Sequence, residues 1–196
     1  ASAPPRASCV TTSPVTCCLP RYGKKKPGSI GMPLPDTTFK LVDPETGNLA
    51  ALGEPGEIAI HGPQVMLGYY RQPEETKHAI RDGWMYTGDI AKMDEDGYFY
   101  IVDRLKDMVI VSGFKVFTRE LDDVLCEHPD IAMAASFGVP DPERAGSERV
   151  ACAVVLKPGI VGDDAERDKI ISYLKGKVAP YKVPKRIIFM DQLPTS

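Results

Sequence analysis

The chain reads as a mixed α+β protein, and three observations carry that expectation. Short apolar segments of strand character, at residues 39–43, 57–61, 98–102 and 108–111, crowd the first part of the sequence. Two stretches with apolar residues at helical spacing, 119–128 and 165–178, fall later, among further strands. The two kinds of element are intermixed without the strict βαβ repeat of a doubly wound sheet, which points to a small α+β domain. With 196 residues and 43% apolar content there is material for one or two ordinary cores.

Taken in order, residues 1–30 are rich in Pro, Ser, Thr and Gly without a clear period, and are expected to be loop or disordered extension. Pro44-Glu-Thr-Gly47 is a turn between neighbouring strands. Residues 72–80 form a short helix, with Pro73 suited to the first helical position. Asp94-Glu-Asp-Gly97 supplies the positive-φ turn of a hairpin; it also opens like a calcium loop, but the later oxygen ligands are absent at their offsets. Residues 103–107, bracketed by two strands, make a natural domain boundary. Thr118 is an N-cap candidate for the helix bearing Leu121, Val124 and Leu125. Residues 131–139 and 150–156 read as two buried strands joined by a turn-rich loop. A second helix with Ile170, Ile171 and Leu174 on one side precedes a last strand at 186–190.

Composition narrows the function classes. Twenty-four basic against 27 acidic residues, a formal charge of −3, give no broad positive field and argue against nucleic-acid binding. Lys24-Lys-Lys26 beside Pro27-Gly28 reads as a solvated loop. The five cysteines are irregularly spaced, with no C-x-x-C pair, and are read as free thiols of a reducing cytosol. No run reaches the ~18 apolar residues of a membrane span, so any membrane contact is peripheral. No Walker loop, no G-x-S-x-G elbow and no His/Cys cluster occurs, and His61, His78 and His128 are scattered, so no metal site is expected.

The chemistry concentrates in Asp82-Gly-Trp-Met-Tyr-Thr-Gly-Asp89 and Asp103-Arg-Leu-Lys106. A carboxylate at a tight Thr-Gly-Asp turn can accept two hydrogen bonds from a vicinal diol such as a ribose. An arginine at the end of the next strand can add donors to the same sugar or its phosphate. Asp89 and Arg104 together suggest a ribonucleotide site.

The stretch from Asp82 to Asp107, continued by Met108-Val-Ile-Val-Ser-Gly-Phe-Lys115, resembles the signature of the acyl-adenylate-forming superfamily, and within it most resembles long-chain fatty-acid CoA ligases. Pro55-Gly-Glu-Ile-Ala-Ile-His-Gly-Pro-Gln-Val-Met-Leu-Gly-Tyr-Tyr70, Tyr181-Lys-Val-Pro-Lys-Arg-Ile-Ile-Phe189 and Leu193-Pro-Thr-Ser196 resemble further segments of that family in the same order. The resemblance implies residues 31–103 as the β-rich, barrel-like end of a large domain and 104–196 as a small mobile C-terminal domain. It implies ATP, Mg2+ and CoA as cofactors and a fatty acid as substrate, converted through acyl-AMP to acyl-CoA. It assigns Asp89 and Arg104 to the nucleotide, Lys106 to the hinge, and Ser112, Gly113 and Phe114 to the CoA channel.

Where relatives carry a glutamate for magnesium, alignment on Ser13-Pro14 places Ser8-Cys-Val-Thr-Thr12. The family's phosphate loop and acyl tunnel lie earlier than this sequence begins, and its adenylation lysine later than Ser196. The expectation is a C-terminal fragment without adenylation activity, and no catalytic residue is assigned. The alternatives are a stand-alone nucleotide- or CoA-binding or protein-interaction module, and an adenylating enzyme of another branch, aryl-CoA ligase or luciferase-like. An apolar face bearing Ile58 and Ile60, cut from its neighbours, favours self-association.

Overall fold

The computed structural model describes residues 16–20, 23–144 and 146–194. The chain divides between Leu105 and Lys106 into two compact units.

In the first unit, short strand β1 (Cys17–Cys18) pairs antiparallel with β2 (Met32–Pro33). A larger sheet follows, built from β3 (Thr38–Val42), β4 (Gly56–His61), β5 (Ile80–Arg81), β6 (Trp84–Met93) and β7 (Phe99–Arg104). β3 and β4 lie antiparallel, β4 continues to β6, and the far edge of β6 is shared: β5 pairs its first residues and β7 its last. The apolar run of β4 puts Ile58 and Ile60 into a core with Leu41, Ala91 and Phe99, against which Phe39 packs edge-to-face at 5.2 Å. Helix α1 (Pro73–Ala79) starts at its proline, carries Glu74 and Glu75 in the first turn, and buries no residue; it serves as a connector into β5.

Two expectations for this unit need correction. Residues 1–15 lie outside the described residues, but within the remainder of the segment expected as loop, Cys17 and Cys18 form β1, Thr16 and Ser29 are buried, and Ile30 bonds to Phe99. Backbone pairing, for which composition carries no signal, orders them. Of the lysine cluster, Lys24 and Lys25 are exposed as expected, but Lys26 is drawn in: its Nζ lies 2.5 Å from Asp94 Oδ2 and 2.6 Å from Asp96 Oδ2. Asp94 meanwhile organises the β6–β7 turn, its Oδ1 accepting from the N–H groups of Asp96 and Tyr98.

The second unit opens on a 3-10 turn, Leu105–Asp107, and a hairpin of β8 (Val109–Val111) and β9 (Phe114–Val116). Helix α2 (Thr118–Cys126) precedes β10 (Ile131–Pro140) and β11 (Glu148–Leu156), which pair antiparallel; helix α3 (Asp164–Lys175) then leads to β12 (Arg186–Phe189), parallel to β11. Asp163 caps α3 by accepting from Glu166 N–H at 2.8 Å. α2 instead begins at Phe117 as cap, with no side-chain capping bond; Thr118 is its buried first residue. The core gathers Leu121 and Leu125 of α2, Ile170 and Leu174 of α3, and Val150, Cys152 and Val154 of central β11. Of the two strands expected to be buried, only β11 is: Met133 and Phe137 of β10 are exposed, because β10 is an edge strand. Burial pushes the Cys152 thiol up to about 12, so that sulfur is an inert packing element.

Two outcomes follow. Leu125→Ala, at a fully buried position, lowers unfolding free energy by about 3 kcal/mol in urea titration. The Lys26 hydrogen bond holds the Asp94 carboxyl well below its usual range, at about 2. A depressed folded value contributes stability above the unfolded pKa that is lost as pH falls through the folded one. Asp94→Asn therefore lowers Tm at pH 7, and the gap from wild type closes as pH approaches 2 in a thermal-melt series.

Candidate functional site

The ladder between β4 and β6 is interrupted at its middle. Glu57 pairs with Ile90 and Ala59 with Tyr86, so that Ile58 alone stands opposite Thr87, Gly88 and Asp89. The surplus residues leave the ladder as a bulge. The sequence led us to expect a tight turn at Thr-Gly-Asp; the strand instead continues on both sides, because residues before and after the bulge pair with β4.

Three hydrogen bonds fix the bulge. Thr87 Oγ1 donates to the Ile58 carbonyl at 3.1 Å and accepts from Asp89 N–H at 3.2 Å; Gly88 N–H donates to Glu57 Oε1 at 3.0 Å. Gly88 has φ +74, a conformation other residues adopt only at a cost.

Asp89 sits directly across from Arg104, the last residue of β7, with Arg104 Nε 3.8 Å from Asp89 Oδ1. That is an ion pair too long for a hydrogen bond. Arg104 is largely exposed, its side chain 62% accessible, while Asp89 is mostly enclosed at 18%. Burial pushes the Asp89 carboxyl up and the Arg104 charge pulls it partly back. Among the described residues no donor hydrogen-bonds to this carboxylate, so its lone pairs can meet a ligand diol. Asp103, by contrast, is buried and accepts from Arg104 N–H at 2.8 Å.

Lys106 is exposed in the 3-10 turn that opens the second unit. Ser112 and Gly113, with φ +50 and +86, are the two central residues of the β8–β9 turn, the left-handed pair of a type I′ hairpin. Arg144 Nη1 donates to Ser112 Oγ at 2.7 Å, and Ser112 N–H donates to Ser147 Oγ at 3.1 Å. Phe114, just past the turn, is 54% exposed and stacked on Tyr181 at 4.6 Å. The predicted site residues thus fall into two local groups, Asp89 with Arg104 and Ser112 with Gly113 and Phe114, each within its own unit.

Sequence reasoning missed Glu57, Thr87, Arg144 and Tyr181. Only Glu57 carried a signal, a charged residue inside the apolar run Glu57-Ile-Ala-Ile60. Metal-donor types meet at His128, Asp130 and Glu166, whose ligand atoms lie within 4.8 Å of one another. There, Lys169 Nζ occupies Glu166 Oε2 at 2.8 Å and Asp130 N–H occupies His128 Nδ1 at 3.2 Å. No helix among the described residues is long and apolar enough to cross a membrane.

Two family descriptions match: residues 9–70 as AMP-binding enzyme, and residues 120–196 as AMP-binding enzyme C-terminal domain. A long-chain-fatty-acid–CoA ligase of Bacillus subtilis (strain 168) is 48% identical over 182 residues, 93% of this chain and 32% of the relative. A feruloyl-CoA synthase of Amycolatopsis sp is 42% identical over 172 residues, 88% of this chain and 34% of the relative. Among solved structures, ATP-bound MatB from Rhodopseudomonas palustris matches with TM-score 0.80 and 39% identity over 90% of this chain and 34% of that one. The o-succinylbenzoate CoA synthetase MenE from Bacillus subtilis, in complex with the acyl-adenylate intermediate OSB-AMP, gives 0.73 and 29% over 85% and 33%. The chain belongs to the adenylate-forming, AMP-binding enzyme superfamily. It spans about a third of the length of the curated relatives it matches.

The raised Asp89 value has a consequence for stability. A carboxylate pushed up on folding destabilises the fold at neutral pH, and the penalty fades as pH falls through its raised folded value and is gone below its unfolded pKa. Asp89→Asn raises Tm at pH 7, and its advantage over wild type shrinks as pH falls toward ~4 and is lost below that, in differential scanning calorimetry.

Proposed function

We propose that this chain is part of an AMP-forming acyl-CoA ligase, supplying the ribose-binding edge of the nucleotide site, the hinge and the mobile C-terminal domain. In this reading residues 31–103 close a barrel-like subdomain of a larger domain, and 104–196 are the domain that reorients. The observation that carries it is the enclosed Asp89 carboxylate, open to a diol and flanked by an arginine at 3.8 Å. A ribose hydroxyl pair donates to Asp89; the Arg104 guanidinium supplies N–H donors to the sugar or the α-phosphate.

The reaction joins a carboxylate to the α-phosphorus of ATP, releasing pyrophosphate, and then exchanges AMP for the thiol of CoA. Between the two steps Lys106 is the pivot, an exposed residue at the junction of the units where backbone torsions can change. Ser112, Gly113 and Phe114 meet CoA, the exposed Phe114 ring offering apolar surface to its pantetheine arm. Among the described residues no ligand set fitting Mg2+ lies beside Asp89, where Glu57 Oε1 receives Gly88 N–H, and no step is assigned to it. A long-chain fatty acid is the favoured substrate, supported by the 48% identity to the Bacillus subtilis ligase. The 42% identity to a feruloyl-CoA synthase supports an aryl carboxylate as the second reading. A cytoplasmic site of action accords with either.

The 196-residue chain binds AMP in isothermal titration calorimetry. Asp89→Asn weakens binding by about tenfold or more, the scale of a lost charge-assisted hydrogen bond, and Arg104→Ala by about threefold, as fits an exposed cation. Equal affinity of wild type and Asp89→Asn overturns the ribose assignment.

A further inference from the structure

We propose that Glu57 is a positioning residue of the nucleotide site, holding the Gly88 N–H so that the bulge presents Asp89 to the ribose. The inference rests on the reading of Asp89 as the ribose carboxylate and concerns what keeps that carboxylate in place.

Glu57 is an acidic residue only 6% exposed, set at the start of the most buried strand of the first unit. A carboxylate there carries a heavy desolvation cost unless donors face it. Its Oε1 receives the Gly88 N–H, at the one residue of the bulge whose left-handed φ leaves its amide off the ladder. The bulge has two anchors on β4: Thr87 to the Ile58 carbonyl, and Gly88 to Glu57. They fall on consecutive residues of β4, and Asp89 follows directly on β6. With the second anchor removed, the Gly88 amide has no partner, and only the Thr87 Oγ1 bond to Asp89 N–H and the pairing of Asp89 with Arg104 hold the segment. A shift of Gly88 displaces Asp89, because a single peptide separates them.

Arg81 of β5 and Asp89 of β6 face Glu57, and Arg104 of β7 faces Asp89. Burial and the Asp89 charge push Glu57 up, while Gly88 N–H and Arg81 pull it down.

Two substitutions separate the hydrogen bond from the charge. Glu57→Gln keeps an acceptor oxygen beside Gly88; Glu57→Met keeps side-chain length and removes the acceptor. In the full 196-residue chain, exchange of the Gly88 amide by NMR stays slow in wild type and in Glu57→Gln. It accelerates about tenfold or more in Glu57→Met, whose AMP affinity falls by a similar factor. In Glu57→Gln, which keeps the acceptor, AMP affinity at neutral pH is retained.

Unchanged Gly88 exchange and AMP affinity in Glu57→Met overturn the inference. If Glu57→Met does not fold, Glu57→Ala, which also removes the acceptor, is measured in its place and read the same way. The Asp89→Ala control keeps the two ideas apart. AMP binding that survives Asp89→Ala overturns the ribose reading, and the inference with it. Binding lost in Asp89→Ala but intact in Glu57→Met overturns the inference alone.

Discussion

The bulge on β6 is the constraint from which the candidate site follows. A regular antiparallel strand sends alternate side chains to opposite faces, and one skipped register position changes which face each later residue serves. By setting Ile58 against Thr87, Gly88 and Asp89, the β4–β6 ladder releases these residues while keeping Met85 and Ile90 in register on either side. Asp89 can then meet Arg104 across the β6–β7 pair, while Ile90 and Ala91 remain buried. Binding groups and core are thus carried by neighbouring residues of one strand.

This arrangement stores an electrostatic cost. Glu57 and Asp89 are both pushed up by burial, and Glu57 also by the Asp89 charge, against partial compensation from Arg81, Arg104 and one backbone amide. Sites built for ligands commonly sacrifice stability in this way, and what the enclosed Asp89 carboxylate lacks among the described residues is a hydrogen-bond donor. The contrast with Asp94 is instructive. There two backbone amides, a tyrosine hydroxyl and Lys26 satisfy one carboxylate, and its proton affinity falls instead of rising. The same functional group serves as a turn organiser in one place and as an unsatisfied acceptor a few residues away.

The second unit follows a different logic. Its parallel strand pair, β11 with β12, is bridged by α3, and apolar residues at helical spacing on α2 and α3 cover a sheet whose central strand is buried from Val150 to Val154. What it presents outward comes from the β8–β9 turn, where two left-handed residues project Ser112 toward Arg144 and leave Phe114 against Tyr181. A packed core behind a short, well-defined hairpin leaves that turn to present its residues to the surface.

Much was legible in the residues themselves. Periodicity located both long helices, β-branched runs located β3, β4 and β8, and Pro73 marked the start of α1, because these signals arise from local sterics and amphipathic burial. The identities of Asp89 and Arg104 were legible too, as chemistry in search of a geometry. Tertiary structure decided the rest. Thr-Gly-Asp became a bulge in place of a turn because β4 pairs on both sides of it; Lys26 became an ion-pair partner because Asp94 and Asp96, distant in sequence, fold beside it. Glu57 gained its place beside Gly88 for the same reason: the bond spans 31 positions of chain. Short-range preferences are written in neighbouring residues, whereas such contacts exist only once strands have found their register.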